Sequence, residues 1–223
     1  MKIMVNIKNI AFSYSHHKSG FQIRIPSIEI EAGSKVALTG PSGTGKTTLI
    51  NLITGILTPE SGWIYVSDNI INRMNDTGRR KFRLKNIGMV FQTFELLSYL
   101  SVEENVLLPC LMDRSLYSKK IQTYSRQLLE TIGIYEKRKR YPEHLSQGER
   151  QRVAICRALV MDPVVILADE PTGNLDEKNS HNALNLILNQ VDNRKTTFIM
   201  STHNKSLLNH FDKIIDISQF SEN

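Results

Sequence analysis

Gly40-Pro41-Ser42-Gly43-Thr44-Gly45-Lys46-Thr47 has the spacing G-x-x-x-x-G-K-[ST], that of a phosphate-binding loop. The glycines let the backbone curl so that its N–H groups point inward at phosphate oxygens. The helix that follows adds its positive N-terminal end. The expected phosphate contacts are Gly40, Ser42, Gly43, Thr44, Gly45, Lys46, Thr47 and Thr48. Lys46 would neutralise the β- and γ-phosphates of a nucleotide, and the Thr47 hydroxyl would ligate Mg²⁺. A glycine-rich turn could match by accident. The apolar strand Lys35 to Thr39 before the loop, and a helix of about two turns ending near Gly55 after it, supply the context that a true site requires.

Upstream of the loop, residues 3–13 and 21–30 alternate apolar and polar and read as two antiparallel strands. His16-His17-Lys18-Ser19-Gly20 is the expected turn between them, its histidines solvated rather than metal ligands. Downstream, Ser61 to Val66 and Ile87 to Phe91 read as strands. The pattern from about 94 to 160 is helical, with Ile121, Leu128, Leu129 and Ile132 on one face. Strand and helix then alternate again. Val164 to Ala168 is a continuous apolar run, as a strand covered on both faces requires. Leu184, Ile187, Leu188 and Val191 form a helical stripe, and Thr196 to Ser201 is a further strand. The sum is an α/β core interrupted by a helical insertion.

The strand from Val164 ends in Asp169-Glu170, at the end of an α/β sheet where ligands bind. Asp169 would hold Mg²⁺, and Glu170 is placed to activate an attacking water as general base. Two acids alone also suit the start of a solvated loop, but beside the phosphate loop they read as catalytic. Composition agrees with a soluble enzyme of generous single-domain size. The chain has 223 residues, 40% of them hydrophobic. No stretch reaches the ~20 apolar residues of a membrane helix, and the start lacks a signal peptide's apolar run, so a cytoplasmic protein is expected. The net charge of +6 is scattered, apart from Arg79-Arg80-Lys81 and Lys137-Arg138-Lys139-Arg140, and neither cluster has the interleaved aromatics of a nucleic-acid surface. The two cysteines, Cys110 and Cys156, lie among apolar residues and read as core.

Phosphate loop and acidic pair fit a kinase or a switch GTPase as well as an ATPase. Leu145-Ser146-Gln147-Gly148-Glu149-Arg150-Gln151-Arg152 separates them. It resembles the signature of ABC (ATP-binding cassette) ATPases, usually L-S-G-G-Q. Serine opening a helix, then glycine, makes a second anion site at a helix N-terminus. Further residues match in family order. Gln92 looks like the Q-loop glutamine, a catalytic and Mg²⁺-facing residue. Pro171-Thr172-Gly173-Asn174-Leu175-Asp176 looks like the D-loop, with Asp176 at the nucleotide, and His203 looks like the switch histidine. Tyr14 sits where the family stacks an aromatic on adenine, with Phe12 the nearest rival. Gln147 and Glu149 depart from the usual glycine and glutamine, while Ser146 and Gly148, the expected phosphate contacts, remain.

The resemblance spans essentially the whole chain. It implies a single ABC ATPase domain with a P-loop NTPase (RecA-like) core, an antiparallel β subdomain and an inserted α-helical subdomain. Residues 1–92 and 161–223 would form the core and β subdomain, and 93–160 the helical part. Ile87 to Leu97, Val102 to Pro109 and Ala168 to Asp176 are similar to the lipoprotein-release, macrolide-efflux and cell-division ATPases (LolD, MacB and FtsE types). This implies a bacterial homodimer enclosing two ATP and driving integral membrane permease subunits at the cytoplasmic face of the inner membrane, with no nucleic acid. Phe94 to Leu108 would form the permease's groove. The alternative, a soluble ABC ATPase acting on nucleic acid or ribosomes, usually carries a long coiled-coil insertion or two cassettes, and neither is found here.

Overall fold

The computed structural model of the protein describes residues 2–14, 21–173 and 175–222. The turn expected at His16 to Gly20 and Asn174 of the expected D-loop lie outside the described residues. In chain order the strands are β1 (Ile3–Ser13), β2 (Gln22–Glu31), β3 (Lys35–Thr39), β4 (Ser61–Val66), β5 (Asn69–Ile70), β6 (Ile87–Phe91), β7 (Val165–Asp169), β8 (Thr197–Ser201), β9 (Lys213–Asp216) and β10 (Ser221–Glu222). The helices are α1 (Lys46–Ile53), α2 (Asp76–Asn86), α3 (Val102–Val106), α4 (Leu108–Met112), α5 (Lys119–Thr131), α6 (Gln147–Leu159) and α7 (Glu177–Arg194).

The strands form two sheets, an antiparallel one ordered β10-β2-β1-β4-β5 and a wholly parallel one ordered β6-β7-β8-β3-β9. The period-two pattern of β1 changes phase midway. Val5 and Ile7 are buried, then Ile10 and Phe12. The register on β4 shifts between Lys8 and Ala11, and Asn9 takes φ 51. A bulge at this point restores the apolar face to the core after one extra residue.

In the parallel sheet alternate residues of β7 enter two different cores. Val165 and Leu167 pack with α1 and the antiparallel sheet, through Leu49, Ile53, Ile64 and Val66. Ile166 and Ala168 pack with the helices, through Val106, Leu129, Cys156 and Leu188. Burial on both faces is why this strand reads as an unbroken apolar run. Each such Ile or Leu contributes about 1.5–3 kcal/mol by leaving water. Cys110 and Cys156 are both buried, as expected of core residues.

The helical region is less continuous than its sequence pattern. Residues 94–100 are not helical, because Phe94 and Glu95 both take positive φ. Residues 132–146 hold only two 3-10 turns, Tyr135–Lys137 and Pro142–His144. Four elements were not anticipated: α2, the two-residue strand β5, β9 and β10. Helix α2 is rich in Arg and Lys and has no buried residue, so it carries no apolar stripe. Strands β9 and β10 are four and two residues long, too short for a periodic signal.

Candidate active site

The register of the parallel sheet sets the site. Phe91 pairs with Asp169, Asp169 with Ser201, and Ser201 with Leu38. The residues that leave these strands at their C-terminal ends are therefore Gln92, Glu170, Thr202-His203 and the loop from Gly40. They share one edge of the sheet, the edge where α/β sheets bind ligands.

The loop from Gly40 to Gly45 wraps the Lys46 side chain. Lys46 is 6% exposed, and its Nζ donates to the carbonyls of Gly40 (2.9 Å) and Pro41 (3.0 Å). The ammonium is thus held at the centre of the loop. Gly45 has φ +96 and packs so closely that a Cβ there would meet Phe21 at 2.6 Å, which makes glycine obligatory. Thr44 closes the loop by donating to the Pro41 carbonyl at 2.9 Å.

Lys46 Nζ lies 3.7 Å from Glu170 Oε1, and His203 Nδ1 lies 3.4 Å from Glu170 Oε2. Glu170 therefore bridges the phosphate loop and the histidine. It takes φ 44, uncommon for a non-glycine residue, which turns its side chain back across the strand end. Ser201, fully buried, donates to Asp169 Oδ1 (2.6 Å) and accepts from Glu170 N (2.9 Å). One hydroxyl so orients both acids. Sequence reasoning missed Ser201; its only signal was a polar residue closing the apolar strand Thr197–Ser201.

Tyr14, Phe21, Ser42, Gly43, Gly45, Lys46, Thr47, Thr48 and Glu170 line one cleft of about 310 Å³. Tyr14 is 61% exposed while Phe12 is buried, so of the two aromatics only Tyr14 offers a free ring face. Its hydroxyl is 3.0 Å from Thr48 Oγ1, and its ring lies edge-on to Phe12. Phe21, also missed, forms the cleft wall beside Tyr14 at 6.1 Å between ring centroids. Thr47 is exposed toward solvent at the start of α1. Gln92 sits against the turn after Glu170: a Cβ on Gly173 would meet its Nε2 at 2.8 Å. Asp176 is not brought to this cleft. It caps α7, accepting from Asn179 N at 2.8 Å, and the Asn179 hydrogen bonds hold its carboxyl below the usual range.

Ser146 and Gly148 stand in a second cleft, lined among others by Gln147, Arg152, Leu175 and Asn182, which shares no lining residue with the first. Ser146 is the N-cap of α6, and Glu149 completes a capping box with it. The space over Gly148 is open: a Cβ there would meet nothing within 4 Å.

The family model for ABC transporters matches residues 23–173, a span holding the phosphate loop, the signature and the acidic pair. The chain belongs to the ABC transporter family. An uncharacterized ABC transporter ATP-binding protein of Mycobacterium tuberculosis is 37% identical over 96% of this chain and 86% of its own length. The lipoprotein-releasing system ATP-binding protein LolD of Psychrobacter arcticus is 38% identical over 81% of this chain and 80% of its own, and that of Francisella tularensis 35% over 95% and 92%. Among solved structures, a dimeric ATP-binding cassette in a post-hydrolysis state with ADP and Pi superposes with TM-score 0.82 at 30% identity, covering 99% of this chain and 98% of that one. CbiO1 of Clostridium perfringens gives 0.84 at 28% identity, covering 97% and 85%. The resemblance to the LolD type and the P-loop α/β fold both hold, and this ABC chain is an ATP-binding, ATP-hydrolysing transporter subunit. Among the described residues no helix is long and apolar enough to cross a membrane.

Proposed function

We propose that two copies of this chain close around two ATP molecules, each held between the Lys46 loop of one copy and the Ser146 signature of the other, and that closure drives a membrane permease. The observation that carries this is the separation of two anion-binding clefts with no residue in common. Alone, neither cleft surrounds a triphosphate. The open space over Gly148 suits the approach of a ligand carried by a second chain.

Within such a site Tyr14 stacks on the adenine, and the Gly40–Thr48 backbone with Lys46 receives the phosphates. Mg²⁺ fits the oxygen donors at hand. Ser201 takes up Asp169 Oδ1, and the other Asp169 oxygen, the Thr47 hydroxyl and the Gln92 amide oxygen would hold the ion. When bound, Mg²⁺ would neutralise charge on the β- and γ-phosphates. Glu170 takes a proton as water attacks the γ-phosphorus and the bond to ADP breaks. His203, against the Glu170 carboxylate, orients it. ATP favours the closed pair, and loss of the γ-phosphate contacts releases it.

The permease's place is the apolar groove lined by Ile56, Leu84, Met89, Leu108, Met112 and Met161, at the junction of the helical subdomain with the core. Glu95 and Leu108, which lie in the segment the sequence assigned to this role, line that groove. Phe94 instead is buried core, Leu96 packs on that core, and neither Leu97 nor Tyr99 lines the groove. The reading puts the chain at the cytoplasmic face of the inner membrane through its partner.

The test is Glu170→Gln, which keeps shape and removes the base. With ATP and Mg²⁺, light scattering is expected to report a dimer while phosphate release collapses. Membranes solubilised in that state should yield the chain with an integral membrane protein, and Met112→Glu in the same background should lose that protein while still dimerising. Normal turnover by Glu170→Gln, or a monomer at saturating ATP, counts against the proposal.

A further inference from the structure

The signature carries a carboxylate where the family usually has an uncharged amide, and the carboxylate lies at an anion site. Glu149 Oε2 accepts from the Ser146 backbone N–H at 2.9 Å, so the negative charge rests on the N-terminal end of α6 itself. A phosphate approaching Ser146 and Gly148 meets it as a like charge, which opposes binding at short range. The glutamate also does structural work there. Its own N–H donates to Ser146 Oγ at 3.3 Å, and a hydrogen bond from that serine side chain also helps to hold its carboxyl low.

The other carboxylate oxygen, Oε1, is engaged by Lys137. Lys137 closes the 3-10 turn Tyr135–Lys137, an element separate from the signature helix. Both side chains are partly exposed, 34% and 22%, and through Glu149 the pair is joined to Ser146, which lines the cleft. The Lys137 hydrogen bond holds the Glu149 carboxyl below its usual range. At neutral pH its charge is therefore offset by the lysine and not by a proton.

We propose that Lys137 is a positioning residue for the signature: it neutralises Glu149 and holds it in the cap, so that Ser146 and Gly148 can receive the terminal phosphate of the ATP bound to the second copy. This rests on the shared-site reading above. It also explains how Glu149 is tolerated in the cap beside Ser146. The lysine is a compensation for that residue, and removing the carboxylate removes the need for it.

Three chains test it: Lys137→Met, Lys137→Arg, and Lys137→Met combined with Glu149→Gln, a residue that still completes the capping box. ATP-driven dimerisation is read by light scattering in the Glu170→Gln background, turnover by KM and kcat with Glu170 intact, and the phosphate loop of dilute chains by binding of mant-ATP. For Lys137→Met, the ATP needed for half-maximal dimerisation and the KM are expected to rise by about three- to tenfold, with kcat within about twofold and mant-ATP binding unchanged. The defect should shrink as NaCl is raised, because salt screens the repulsion; a merely structural lesion would not respond in this way. Lys137→Arg and the double variant should both return to near-normal ATP dependence. Wild-type ATP dependence in Lys137→Met, or a double variant no better than Lys137→Met, overturns the proposal. Should Lys137→Met not fold, Lys137→Gln with and without Glu149→Gln gives the same comparison. Ser146→Arg separates the two readings. If it dimerises normally the shared site itself fails, whereas if it blocks dimerisation and Lys137→Met is normal only the role of Lys137 fails.

Discussion

Glu170 occupies a backbone conformation that costs on the order of 1–3 kcal/mol for a residue with a Cβ, and its neighbours hold it there. The chief restraint is Ser201, whose single hydroxyl accepts from Glu170 N and donates to Asp169 Oδ1. Ser201→Ala would leave a part-buried N–H and a carboxylate oxygen without that partner. The expected cost is about 1–3 kcal/mol of stability, visible as a lowered Tm. Misdirecting the base should also lower kcat by roughly ten- to a hundredfold, while KM for ATP, set largely by the loop around Lys46, moves little. Turnover at the normal rate in the alanine variant would show that Ser201 does not aim the acids. This residue illustrates what a sequence conceals. The phosphate loop, the acidic pair and His203 are legible because each is a local pattern or keeps a fixed order. Ser201 acts on residues 31 and 32 positions earlier, and only strand register brings them together. The choice of Tyr14 over Phe12 turns on the end of β1: Phe12 lies within the strand and is buried, whereas Tyr14 follows its last residue and is exposed.

Among the elements, those with a two-sided apolar environment were legible and those held by capping or by single polar contacts were not. Strand β7 is apolar throughout and could be read at once. Helix α2 buries nothing and is fixed by its Asn75 cap and the Arg83 contact to the Thr54 carbonyl. Residues 94–100 have apolar side chains suited to a helix, yet Arg157 on α6 donates to the carbonyls of Phe94 and Glu95 and holds both in the left-handed region. Helices α3 and α6 both begin with capping boxes, Ser101 with Glu104 and Ser146 with Glu149. In each the carboxyl is held below its ordinary 4.5, by the Ser101 hydroxyl for Glu104 and by Lys137 for Glu149. A depressed carboxylate stabilises the fold fully above its unfolded pKa and loses that contribution as pH falls through its lower folded value. Tm should therefore drop as pH is taken below about 4.5. Glu104→Gln with Glu149→Gln, which keeps the boxes uncharged, should make that drop shallower while lowering Tm slightly at pH 7. An identical pH profile would remove the two carboxylates from the acid response.

At the scale of the whole molecule, the two anion sites stand on different cores of the chain. The Lys46 loop rises from β3 and α1, which pack with the antiparallel sheet, whereas Ser146 opens α6, which packs with the other helices. On the proposed reading each chain receives phosphate at two separated places and a second copy supplies the complement, and this can be tested without knowing the permease. Lys46→Ala should abolish turnover, since it affects both sites of a homodimer, and Ser146→Arg should do the same by filling the space over Gly148. A mixed dimer of the two differs. Under two-fold symmetry one site carries both lesions and the other pairs an intact Lys46 with an intact Ser146. Random pairing of equal amounts makes half the dimers mixed, so activity is expected to recover to at most about one quarter of normal if the sites act independently. Coupling between the sites would lower that ceiling, which makes the opposite result the decisive one. Ser146→Arg chains hydrolysing ATP at the normal rate by themselves, or activity per chain unchanged on dilution below the dimer dissociation constant, would mean that each chain completes its own site.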